Sequence, residues 1–114
     1  MNWKKLNSTE QIHHIKEKSF QTPQVIFKHS TRCGTSNMVK NRLERGGEIA
    51  GVDFHFLDLI TYREVSNKVA EEFDVYHESP QVLLIVKGEC IYDESHFGIS
   101  TDDLEEQVNK VNLN

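Results

Sequence analysis

Long apolar runs, a basic excess and a cysteine framework are all missing from this 114-residue chain. No hydrophobic stretch approaches the roughly 18 to 20 residues of a membrane-spanning helix, and Met1-Asn-Trp-Lys-Lys5 lacks the following apolar block of a secretion signal. A cytoplasmic protein with no membrane partner is therefore expected. Lysine and arginine number 13 against 18 acidic residues, and the net charge of -5 argues against a general nucleic-acid binder. Two cysteines, Cys33 and Cys90, are too few for a disulfide scaffold, and no His/Cys spacing matches a zinc site, so no metal is expected. His13 and His14 are adjacent and point in different directions, which rules out a shared metal. Repeats and low-complexity segments are absent too. The length suits one domain, residues 1–114.

What is present is concentrated in residues 24–36, Gln-Val-Ile-Phe-Lys-His-Ser-Thr-Arg-Cys-Gly-Thr-Ser. A β-branched and aromatic run, Val25 to Phe27, gives way to turn residues and Cys33; Val39 and Leu43 then recur at helical spacing. The pattern is strand, turn, cysteine, helix. A thiol in the first turn of a helix meets unpaired N–H groups and the positive end of the macrodipole, which favour thiolate, the nucleophilic form. Between Lys28 and Arg45, five cations stand against Glu44 alone, a local charge of +4 that leaves -9 on the rest of the chain. Such a collar would attract an anionic thiol. Equally, the same long side chains would serve to solvate the outer face of a helix.

Around this stretch the periodicities predict the remaining elements. Residues 1–7 are a polar lead with Trp3 and Leu6 as anchors, and Ser8 with Gln11 forms a capping box before a short helix carrying Ile12 and Ile15. The helix after Cys33 should stop at Gly46-Gly47. Val52 to Leu59 reads as a strand buried on both sides for part of its length, and Thr61 with Glu64 as the cap of a helix bearing Val65, Val69 and Phe73. Ser79-Pro80 opens the most apolar run, Val82 to Val86. Lys87-Gly88-Glu89 then turns the chain into an antiparallel partner over 90–92, with a loop expected from Asp93 to Gly98. Ser100 and Asp103 cap a last helix with Leu104, Val108 and Val111 inward.

Helix, β, α, β, α, then proline, β, β, α resembles the thioredoxin fold: a three-layer α/β/α domain with a four-stranded mixed sheet flanked by helices. The resemblance implies that Cys33 follows the first parallel strand and that Pro80 lies beside it. It also implies a cis Ser79–Pro80 bond and backbone groups there that pair with substrate like an added strand.

Lys28-His-Ser-Thr-Arg-Cys-Gly-Thr-Ser36 and His77-Glu-Ser-Pro-Gln-Val-Leu-Leu-Ile85, with Ser95-His96, resemble the monothiol bacilliredoxin family over nearly the whole chain. The usual family site reads Thr-Cys-Pro-Ile-Ser; Gly34 here replaces the common proline and is similar to Cys-Gly-Phe-Ser of monothiol glutaredoxins. The resemblance implies a thiol–disulfide oxidoreductase that removes bacillithiol from client proteins through Cys33, with bacillithiol as co-substrate and no tightly bound cofactor. Its partners would be bacillithiolated clients and a low-molecular-weight thiol. Ser36 occupies the place of a second cysteine, so nothing three residues away resolves the mixed disulfide. Arg32 and Lys28 would bind the malate carboxylates of bacillithiol, with Gly34, Thr35, Ser36, Ser79 and Pro80 completing the substrate site.

Other roles remain open on the sequence. Cys90 is either a resolving thiol or, as the burial habit of cysteine favours, an inert packing group. His29 either tunes Cys33 or is a satisfied structural group at a strand end. His77 and His96 fall in the family's motifs without a readable role. Two rival functions stand beside the redox enzyme: an iron–sulfur cluster carrier of the monothiol glutaredoxin kind, and a non-catalytic thioredoxin-like binding module.

Overall fold

The computed structural model describes residues 1–111. Its elements are β1 (Lys4–Lys5), α1 (Thr9–Lys18), β2 (Gln24–His29), α2 (Gly34–Gly46), β3 (Asp53–Asp58), α3 (Arg63–Glu72), β4 (Gln81–Val86), β5 (Glu89–Ser95), a 3-10 turn His96–Gly98, and α4 (Thr101–Asn109). The sheet order is β1-β3-β2-β4-β5; β1 and β2 run parallel to β3, while β4 and β5 are antiparallel to their neighbours.

Five strands rather than four make the sheet. The extra one is β1, where Lys4 and Lys5 pair with His55 and Phe56, and the Leu6 N–H donates to the Phe56 carbonyl at 2.9 Å. Two exposed lysines offer no hydrophobic alternation to read. Leu6, fully buried, and Trp3, stacked on Phe27 at 5.6 Å, hold this edge in place.

Alternation along the central strands sorts side chains into two cores. Val25, Phe27, Phe54, Val82, Leu84 and Val86 face α2 and α4, meeting Val39, Leu43 and Leu104. Ile26, Leu57, Leu83 and Ile85 face α1 and α3, meeting Ile12, Ile15, Val65, Val69 and Phe73. Every residue of β2 and β4 is buried, since both strands have a neighbour on each side and helices on both faces. Burying each large side chain of these cores contributes about 1.5–3 kcal/mol, and β2, whose exit turn leads to Cys33, is one of the two strands so anchored.

The local signals mostly hold. Gln11 Oε1 accepts the N–H groups of Asn7 and Ser8, and the Asp103 N–H donates to Ser100 Oγ at 3.2 Å. Gly47, at φ 79, ends α2, and a methyl on Gly46 would collide with Thr101 at the start of α4. Lys87 and Gly88, at φ 53 and 82, form the two-residue hairpin turn.

Two boundaries differ. β5 runs to Ser95 instead of becoming a loop at Asp93, because Leu83 pairs with Asp93, Val82 with Glu94 and Gln81 with Ser95; its exposed side chains are mostly charged and mask the strand. Thr61 does not cap α3. Its hydroxyl donates to Asp58 Oδ2 at 2.9 Å while the N–H groups of Ile60 and Thr61 reach Oδ1, so Asp58 organises that turn. Among the described residues no helix is long and apolar enough to cross a membrane.

Candidate active site

Cys33 is the residue at which β2's exit turn becomes α2. Its backbone is extended (φ -111, ψ 117), its N–H closes the turn onto the Ser30 carbonyl at 3.2 Å, and its carbonyl accepts the Asn37 N–H at 3.1 Å. The sulfur-bearing residue is partly exposed. Beyond it the N–H groups of the first helical turn have no partner inside the helix, and they are donors ready for an anion at the cysteine. Gly34 is exposed, and a methyl added there would touch nothing within 4 Å, so packing does not demand glycine. Thr35 is half-buried and Arg32 exposed.

Ser36 turns inward. It is fully buried; its Oγ accepts the Ser30 N–H at 3.1 Å and shares a hydrogen bond of 2.7 Å with Nδ1 of His29. The structure corrects the expected place of the Ser36 hydroxyl in the substrate site: the group is buried and committed to fastening the first turn of α2 onto the end of β2. His29 is the satisfied structural group of the two readings. Burial, and then the charge of Lys40, hold its imidazole below the ordinary range against the opposing pull of Asp58 and Glu44.

The basic collar is smaller than its count. Lys28 lies on the opposite face of β2 from His29, is completely buried, and donates to the Ser66 carbonyl at 3.2 Å, with His77 Nδ1 at 3.3 Å. It cannot greet an anionic ligand at the surface, which corrects its assignment to the substrate site. Arg42 donates to the carbonyls of Phe97 and Ile99, tying α2 to the 3-10 turn, and Lys40 pairs with Glu44 at 3.5 Å. Arg32 makes no ion pair among the described residues.

Ser79 and Pro80 arrive from the neighbouring strand. Gln81 pairs with Lys28 as the last pair of the β2–β4 ladder, so Ser79 and Pro80 lie just beyond it, at the end of the sheet where β2 leads on to Cys33. The Ser79–Pro80 bond is cis. The Pro80 carbonyl accepts the His96 N–H at 3.0 Å, and His96 Nε2 lies 3.0 Å from Glu78 Oε2, so the segment is held from the β5 side as well. Ser79 Oγ and Gln81 Oε1 are buried without a hydrogen-bond partner. Met38 and Phe97 leave more than half their surface exposed.

Cys90 sits at the other end of the sheet. It pairs with Ile85, which in turn pairs with Gln24 at the start of β2, and five strand steps of about 3.3 Å separate that level from His29. Burial pushes its thiol up to about 11, and its Sγ donates to the Tyr92 carbonyl at 3.3 Å. Neither place nor state suits a resolving thiol. The Lys28–His77 and His29–Ser36 contacts escaped the linear reading. Strand alternation, which puts Lys28 and His29 on opposite faces, is the signal that separates their roles.

Comparison with known proteins agrees with this geometry. The chain is similar to a solved protein described as an oxidoreductase with a thioredoxin fold, at 27% identity and a TM-score of 0.75 over 90% of this chain and 89% of that one. Thioredoxins of Trypanosoma brucei brucei (16% identity, TM-score 0.75, 96% and 89% covered) and Malassezia sympodialis (15%, 0.74, 96% and 90%) share the fold. The first of these, together with the family match that follows, supports a thiol redox enzyme in general terms. The family model for the monothiol bacilliredoxin BrxC matches residues 4–104, and with one exposed-edge cysteine at a helix start and serine three residues on, this chain belongs to the monothiol bacilliredoxin family.

Proposed function

We propose that the protein removes bacillithiol from client proteins by a monothiol exchange at Cys33. The observation that carries this reading is the site's chemistry: a partly exposed thiol at the start of α2, with buried, hydrogen-bonded Ser36 in place of a second thiol. The Cys33 thiolate attacks the bacillithiol sulfur of the client mixed disulfide. That S–S bond breaks, its electron pair leaves with the client thiolate, which takes a proton from solvent, and a Cys33–bacillithiol disulfide forms. A second low-molecular-weight thiol then attacks the bacillithiol sulfur, giving a small-molecule disulfide and regenerating Cys33. Arg32 serves the carboxylates of bacillithiol as an unpaired guanidinium. The backbone of Ser79, ahead of the cis bond, meets the client chain, and Met38 and Phe97 offer it apolar contact.

The test is a mass measurement on both partners after the reduced protein is mixed with a bacillithiolated client. Transfer of the bacillithiol mass to Cys33, lost in Cys33→Ser, supports the proposal. A client that stays modified while Cys33 stays free refutes it. A brown, cluster-loaded protein on anaerobic purification, bleached by Cys33→Ser, would favour the cluster carrier instead.

A further inference from the structure

Lys28 is out of place for a core strand. Its neighbours on that face of β2 and β4 are Ile26, Leu83 and buried Gln81, no carboxylate pairs with it among the described residues, and a methionine would fill the same space without a buried charge. Its ammonium instead joins two separate pieces of chain: the Ser66 carbonyl on α3, and Nδ1 of His77 in the segment that leads to Ser79 and Pro80. An ammonium has no acceptor capacity, so Nδ1 must accept and the ring proton sits on Nε2.

The proposed exchange gives this contact a purpose, and the inference rests on that reading. We infer that Lys28 is a positioning residue, whose buried ammonium holds His77 and so sets the 77–80 segment against the Cys33 turn to receive the client backbone. Strand pairing carries the effect, since Gln81 lies opposite Lys28 and its amide N–H reaches the Tyr76 carbonyl at 2.9 Å, closing the loop on itself. The contact is sensitive to acid. A proton on Nδ1 removes the acceptor and sets two cations 3.3 Å apart. Arg63 on α3 and Lys28 oppose that proton, Glu78 invites it, and Glu71 and Asp74 border the same hollow. Burial first, then Lys28, keep His77 below its ordinary range, so the clamp is closed at neutral pH and opens in acid.

The test compares wild type, His77→Asn and Lys28→Met with a cysteine peptide carrying a bacillithiol mixed disulfide. Asparagine places an acceptor oxygen near the Nδ1 position but does not titrate, so dividing the two kcat/KM profiles cancels the titration of Cys33. Wild type should fall about tenfold below His77→Asn on the acid side of the His77 midpoint, chiefly through KM, the scale expected for one charge-assisted hydrogen bond. Lys28→Met should show the raised KM at neutral pH as well. Parallel wild-type and His77→Asn profiles, or an unchanged KM in Lys28→Met, overturn the proposal. A second arm needs no turnover: by nitrogen-15 NMR the His77 midpoint should rise in Lys28→Met, and the amide signals of Ser79 and Gln81 should follow the His77 titration in wild type. If the peptide is never dethiolated, the exchange reading fails, and this arm alone decides the clamp: an unmoved midpoint or unresponsive amides reject it.

Discussion

Ser36→Ala removes one oxygen and breaks two hydrogen bonds at once. The Ser30 N–H loses its acceptor, and buried His29 loses the partner on Nδ1. Leaving a buried polar group unpaired costs about 1–3 kcal/mol, and since the half-buried Ser30 N–H falls at the low end, the two groups together cost about 2–4 kcal/mol. With an m-value of about 2 kcal/mol/M for a domain of this size, the urea midpoint falls by about 1–2 M. Hydrogen exchange supplies the local readout: the Ser30 amide should lose protection by more than its neighbours on β2. Pairing the change with His29→Phe gives the coupling, and the double variant should cost less than the sum of the singles. A Ser36→Ala protein within about 0.5 kcal/mol of wild type, with Ser30 still protected, would refute the fastening of α2 to β2 through this oxygen.

Other consequences follow from the same geometry. Ser36→Cys puts a thiol one helical turn from Cys33, at the roughly 5 Å Cα separation a disulfide tolerates; mild oxidation should close an intramolecular bridge and leave Cys90 as the one thiol titrated after unfolding, whereas three thiols after such treatment would argue against the helix-start geometry. At neutral pH in the native state, alkylation should label Cys33 and spare Cys90, whose thiol is pushed up to about 11 by burial; a second label before unfolding contradicts that placement. His55 donates from Nε2 to buried Gln24 at 2.7 Å, and burial lowers it to about 4 from 6.5. The unfolded chain therefore binds this proton first as pH falls, and stability should drop by about 3 kcal/mol between about pH 6.5 and 4, then level off for this group. His55→Asn should flatten that limb, and a stability curve unchanged by the substitution would refute the assignment.

Much of the fold was legible because its signals are local. The apolar runs Val25–Phe27 and Val82–Val86, the caps at Ser8 and Ser100, and Gly47 at φ 79 each act within a few residues of their own position. β1 was not legible: two exposed lysines become a strand only because Trp3 and Leu6 find burial sites on the finished domain. The full length of β5 was hidden by charged outward positions, and Thr61 looked like a cap until Asp58, three residues earlier, captured its hydroxyl. At the site, Cys33 and the Ser79–Pro80 pair could be read from their places in the element order. The collar could not, because a charge count carries no direction: Lys28 faces the core, Arg42 holds backbone carbonyls, Lys40 pairs with Glu44, and among the described residues Arg32 beside the cysteine and Arg45 at the far end of α2 are exposed without an ion pair.

The chain has a single tryptophan, and Trp3 leans on Phe27 while its indole N–H reaches Glu44 of α2 at 3.1 Å. One fluorophore thus bridges the edge of the sheet and the helix that begins at the cysteine. Its emission is a built-in optical gauge of whether that layer stays closed during turnover, legible without any attached dye.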